Sequence, residues 1–239
     1  RPRLAPPPPR RGPPRRGVNA TAEALLLLSA LAVALALRPW RLLRGGPDGG
    51  ANPLLTPLLA LLVLLPWLWA LPRLHTMPLQ LSLSGACLAT LMLGWPLAVL
   101  ALGAVAAIST LLAPQDLPGL LGQALWLGVA PATFALAIGV GLRRLSGHRP
   151  FVYILGRAFI GTALALFAAG ALAQWSGHEL AHVSPGLSLV ARWLMAWGDA
   201  FATGMLTAIF VAYKPQWLAT WSDRLYLRRP EGEERPGAS

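Results

Sequence analysis

Apolar residues run along the chain in blocks, at about 20–37, 53–71, 79–93, 95–112, 118–142, 151–172 and 187–213, separated by short polar or Gly/Pro-containing breaks. Each block is long enough, or nearly so, to cross a hydrocarbon core of ~30 Å as a helix. One helix from Leu79 to Ala113 would run roughly 50 Å at 1.5 Å per residue. Gly94-Trp95-Pro96 interrupts that stretch, so it reads as two spans joined by a tight turn. The pattern predicts an all-α polytopic membrane protein of about seven transmembrane helices. It divides into a Pro/Arg-rich leader at 1–19 that cannot bury a core and is expected to be disordered, a helical membrane domain at 20–213, and a tail at 214–239.

Composition agrees with the pattern. Hydrophobic residues make up 55% of the 239-residue chain, charged residues only 12%, and the mean hydropathy is +0.56, which leaves too few charges for a solvated surface and excludes an ordinary soluble domain. The net charge of +11 would suit nucleic-acid binding if the cations formed a stripe. Instead Arg1, Arg3, Arg10, Arg11, Arg15 and Arg16 lie in the leader, and most of the other basic residues sit between apolar blocks or after the last. Arg143, Arg144 and Arg149 in one connection, and Lys214, Arg224, Arg228 and Arg229 at the end, predict cytoplasmic positions, since 113–117 and 173–186 contain no Lys or Arg. Seven spans then place the amino end outside and 38–52 inside, against the sign of the leader. A six-span alternative would bring the leader inside and misplace 38–52. Trp40, Trp67, Trp69, Trp175, Trp193, Trp217 and Trp221 fall near block ends and are expected to act as interfacial anchors. The single Cys87 can form no disulfide within the chain.

Two constellations carry candidate chemistry. In the last block Ala200, Gly204, Ala208 and Ala212 form a small-residue stripe beside a polar one of Asp199, Thr203 and Thr207. Asp199, the one acidic residue expected deep in a span, needs a partner or a hydrated cavity; Arg192 and Arg157 are the candidate ion-pair partners, and a transport role is the alternative. The second constellation is His178-Glu179-Leu180-Ala181-His182, an H-E-x-x-H that on a helix would present two imidazoles to a metal and a carboxylate to its water. It lies in a polar break between Ser176-Gly177 and Ser184-Pro185-Gly186, where an external polar loop or a metal-collecting pair is the plainer reading. His75, beside Met77 in another short loop, falls on the same side in the seven-span arrangement. No phosphate-binding glycine loop with Lys occurs, so any ATP consumed is hydrolysed by another chain.

Ser82-Leu83-Ser84-Gly85-Ala86, followed by an apolar run to Gly94, resembles the His-Leu-x-Gly-Ala segment of CbiM-like permeases. The helix Asp199-Ala200-Phe201-Ala202-Thr203-Gly204-Met205, running into Tyr213-Lys214-Pro215-Gln216-Trp217, resembles the closing part of a divergent proteobacterial branch of the same group. These permeases are substrate-specific membrane components of energy-coupling factor transporters for cobalt and nickel. The resemblance covers roughly 75–229. It implies seven helices with an external amino end, capture of a divalent transition metal as transported substrate, no intrinsic cofactor, and a transmembrane coupling protein with ATPase subunits as partners in a bacterial inner membrane. Ser82 stands where the family has His, and the chain opens on the Pro/Arg tract where metal-binding members have a Met-His segment. Asp199, Thr203 and Ser82 are therefore the expected substrate-side residues, with His75, His178, Glu179 and His182 as candidate metal ligands. A non-enzymatic permease module is the expected function. An intramembrane zinc metalloprotease using His178, Glu179 and His182, with Asp199 as a third ligand, is one alternative; a non-catalytic membrane scaffold is another.

Overall fold

The structure, a computed structural model, describes residues 16–43, 52–74, 83–146, 150–178 and 184–221, and among them it is helical throughout, without strands. The helices are α1 (Arg16–Ala36), α2 (Leu55–Leu74), α3 (Ala86–Leu93), α4 (Trp95–Leu112), α5 (Leu117–Gly122), α6 (Ala130–Ser146), α7 (Gly161–Trp175) and α8 (Pro185–Tyr213). A π-helical stretch, Gln123–Val129, joins α5 to α6 as one continuous rod, and a second, Val152–Ile160, leads into α7. Five rods are long and apolar enough to cross a membrane: Leu55–Leu74, Trp95–Leu112, Leu117–Leu145, Val152–Trp175 and Gly186–Tyr213, with Ala20–Ala36 a shorter apolar helix. Their most apolar windows are only 28–44% buried within the protein, so most of that surface needs lipid to cover it. Leu25, Leu28, Leu59, Val63 and Phe201 are more than half exposed in this way. The protein is therefore a helical membrane protein.

Contacts between rods define two ends. Glu23, Arg73, Ser109, Gln123 and His178 gather at one, while Leu91, Arg143, Tyr153 and Thr220 gather at the other. The core between them is formed by α2, α3 and α4 with the middle of α6, where Trp69, Leu93, Leu102, Val105 and Ala98 are almost wholly enclosed.

The block predicted at 79–93 takes an unexpected form. Its described part, α3, has eight residues and is about 12 Å long, less than half a bilayer core. Residues 75–82 lie outside the described residues. α3 begins beside the middle of α8 and runs toward the Thr220 end, where Gly94, at φ 74, reverses the chain into α4. Its last carbonyls are covered by the segment after α8. Ala219 N–H donates to Met92 C=O at 2.9 Å, and the Thr220 hydroxyl donates to Leu91 C=O at 2.8 Å and pairs with the Tyr153 hydroxyl at 2.7 Å.

Three sequence expectations are corrected here. The tail expected to start at 214 belongs to the folded core as far as Trp221: Leu218 is 2% and Trp221 8% exposed, and the Trp221 ring meets Tyr153 edge-on at 4.9 Å. Trp69 and Trp221 are consequently core residues and not interfacial anchors, because α3 and Tyr153 cover them. Trp40, Trp67 and Trp175 do remain exposed near rod ends. Finally, α1 begins at Arg16, inside the leader, since no proline follows Pro14 to stop its first turn.

Candidate functional site

Asp199 sits at the midpoint of α8 and is 4% exposed. Its partner is neither Arg192 nor Arg157. Ser84 N–H donates to Oδ2 at 2.6 Å, and Gly85 N–H lies 3.4 Å from each carboxylate oxygen. The carboxylate thus holds the turn that leads into α3, on the side where the helix dipole presents partial positive charge. Gly85 makes this possible with φ 64, a left-handed conformation that aims two successive N–H groups at one acceptor. The rest of the turn is equally well paired. Trp69 Nε1–H donates to Ser84 C=O at 3.0 Å; the Ser84 hydroxyl donates to Leu127 C=O at 2.6 Å and accepts from Ala86 N–H at 3.2 Å. Leu127 lies in the first π-helical stretch, where i to i+5 pairing takes carbonyls out of the regular α ladder.

Thr203 and Thr207 continue down the same face of α8 at 1% and 0% exposure. Of the small-residue stripe, Ala200 is enclosed and Gly204 receives Phe159, whose ring would lie 3.1 Å from an added Cβ, whereas Ala212 is exposed. The stripe is thus the seat of the second π-helical stretch over its first half only.

Beside Asp199 a cavity of about 60 Å³ opens between the first π-helical stretch, α7 and α8, lined by Ser84, Trp126, Leu127, Gly170, Arg192 and Asp199. That volume holds a few waters or one small solute. The Arg192 guanidinium spans it to the His178 carbonyl at 2.5 Å, leaves its Nε without a hydrogen bond, and meets no carboxylate among the described residues.

His178 adjoins two residues of this cavity, Arg192 through its carbonyl and Trp126 through its ring. Gly177, at φ 89, ends α7: Gly177 N–H returns to Gln174 C=O and His178 N–H to Ala173 C=O, at 3.0 and 2.9 Å. This is the αL helix stop that glycine favours. His178 is therefore outside α7, which does not supply the helix that H-E-x-x-H requires. Its Nδ1 lies 3.4 Å from Oε1 of Glu23, an α1 carboxylate that is 4% exposed and accepts Trp126 Nε1–H at 3.0 Å. Asp199 is thus not the only buried acid, although Glu23 lies near the start of α1 and not at the middle of a span.

His75, Ser82, Glu179 and His182 lie outside the described residues. Among the described residues no group of three His, Cys, Asp or Glu side chains converges on one point. Beside the site, Gln123 joins Arg73, Ser109 and Gln115 in a polar cluster at 2.8–3.3 Å between α2, α4 and α5. Glu23, Trp126, Ser84 and Gln123 were not singled out from sequence. A signal existed only for Glu23, the one acid within the first block. No family model, curated protein or solved structure matches the chain.

Proposed function

We propose that this protein is the membrane-embedded substrate-binding and permease component of an energy-coupling factor type transporter, resembling the CbiM-like permeases, and that its substrate is a divalent transition metal of the cobalt and nickel class. The observation that carries the reading is the cavity between Asp199 and Arg192, with Trp126 on its wall linking it to the Glu23–His178 pair: polar groups set among helices that otherwise face lipid. Ionisable groups so placed mark solute pathways far more often than they stabilise a bundle.

In this reading the chain makes seven passes, the third formed by residues up to Leu93 with α3 as its inner half. The Glu23–His178 end faces outside and the Arg143–Thr220 end faces the cytoplasm of a bacterial inner membrane, which sets Arg143, Arg144 and Lys214 inside. A coupling protein and ATPase subunits supply the energy. Asp199 acts as the fixed support of α3, and substrate passes on the Arg192 and Trp126 side of the cavity.

Uptake of Co²⁺ and Ni²⁺ into proteoliposomes carrying the protein with its coupling and ATPase subunits tests this. ATP-dependent accumulation that a chelator abolishes is the expected result. Accumulation of another solute, indifferent to chelator, overturns the metal assignment, and no ATP-dependent accumulation of any solute overturns the transport reading.

A further inference from the structure

A second cavity, of about 410 Å³, opens on the side of the bundle where α1 meets the first π-helical stretch, the start of α6 and α7. That volume is in the ~300–1,000 Å³ range of sites that take a whole organic ligand. Leu26, Val33, Trp95, Leu125, Trp126 and Phe134 make its lining almost wholly apolar, and Leu26 and Val33 on α1 are 54% and 51% exposed, so it is open to the surrounding lipid. Its polar side chains are already paired. Ser29 Oγ donates to Leu26 C=O at 2.8 Å, and Thr133 Oγ1 donates to Val129 C=O at 2.7 Å and accepts the Trp95 indole N–H at 3.1 Å. The Trp126 indole N–H is spent on Glu23. Nothing in the groove calls for water, and a hydrocarbon chain is the occupant that its lining fits.

α1 leads from this groove to a cationic turn. From Leu26 to the end of α1 at Ala36 is ten residues, about 15 Å at 1.5 Å per residue, or one leaflet of a ~30 Å hydrocarbon core. Just beyond, Arg38 and Arg41 are exposed on either side of Trp40, itself 46% exposed, as an indole at headgroup level is. The backbone there is fixed: Arg38, at φ 52, donates its N–H to Leu35 C=O at 2.9 Å and accepts Arg41 N–H at 3.0 Å, and the Asn52 side chain donates to Leu42 C=O at 2.6 Å. Neither guanidinium meets a carboxylate among the described residues. A dry slot one leaflet deep, with uncompensated cations at its headgroup end, has the charge and the length of an anionic phospholipid.

We propose that the groove binds one anionic phospholipid from the leaflet at the Thr220 end, with an acyl chain lying between α1 and α6 against Trp126 and the phosphate on Arg38 and Arg41. Trp126 lines both this groove and the polar cavity beside Asp199, so the bound chain packs on a wall of that cavity. The site rests on the membrane fold and not on the transport reading.

The test uses the full-length protein, purified in detergent and stripped of lipid, titrated separately with phosphatidylglycerol and with phosphatidylcholine of identical acyl chains; the adducts are counted by native mass spectrometry. One phosphatidylglycerol is expected to bind at least ~10-fold more tightly than phosphatidylcholine, and Arg38→Gln and Arg41→Gln should each weaken it about fivefold. Ser29→Trp, which fills the groove from its exposed wall and leaves both arginines in place, should remove the tight adduct. Ala130→Phe fills the same space from the opposite wall, and thermal unfolding of the two variants identifies the one in which the fold survives. Equal binding of the two lipids, or a tight adduct that persists in a folded variant with the groove filled, overturns the site and leaves an ordinary lipid annulus. Uptake is not read in this assay, so the transport reading stands or falls separately.

Discussion

The two ends of α3 meet the same problem with different outcomes around them. At the Thr220 end, carbonyls released by an eight-residue helix are taken up by Ala219 and Thr220, Thr220 is held in turn by Tyr153, and Trp221 covers the arrangement. At the other end Asp199 holds the turn before the helix, through Ser84 N–H at 2.6 Å and Gly85 N–H at 3.4 Å, while toward the start of α8 pairing thins. Arg192 Nε, beside the cavity, and Ser188 Oγ, earlier on the same helix, are buried without hydrogen bonds among the described residues, while His178 Nδ1 pairs with Glu23 Oε1 at 3.4 Å. Polar groups that satisfy each other hold a fold together; polar groups preorganised and left incomplete await something else.

That contrast can be broken from either side. Asp199→Ala is expected to have the largest effect, since it strips the amino end of α3 of a charged acceptor inside the membrane: roughly 3–5 kcal/mol of stability, read from thermal unfolding in detergent. Trp221→Ala should cost about 3 kcal/mol by the same measurement, because it empties a packed position beside Tyr153. Thr220→Val, which keeps volume and removes the hydroxyl bonds to Leu91 and Tyr153, should cost about 1 kcal/mol. Arg192→Met should be the mildest for stability, within about 1 kcal/mol, because a buried cation without a counter-charge gains little by being there. If Arg192→Met proves as damaging as Asp199→Ala, the distinction between a completed end and an incomplete one fails.

Much of the architecture was legible in the hydropathy pattern because a lipid-covered helix must be apolar around most of its surface, and that leaves a long unbroken signal. The signal fails where tertiary partners replace lipid. Block 79–93 is as apolar as its neighbours, yet α3 is short and enclosed, and nothing in its composition distinguishes an inner half-helix from a full span. Trp69 and Trp221 look like anchors by position, and only the approach of Ser84 and Tyr153 makes them core. Asp199 stood out as an intramembrane charge, but its partners were invisible because a backbone N–H has no letter in the sequence. The opposite-charge search pointed to Arg192 for that reason. Glu23 escaped notice by lying a few residues inside the first block, where it looked like part of an edge.

The double closure of α3 also sets an order of assembly. Its amino end waits for Asp199, 115 residues downstream of Ser84, and its carboxyl end for Thr220, 129 residues downstream of Leu91. At 5–20 residues per second, synthesis brings the second closure roughly 6–26 s after α3 has been made. Its packing against α4 and α6 is available earlier, so the closure of its two ends is the part of its seating that waits for a chain read through to Trp221.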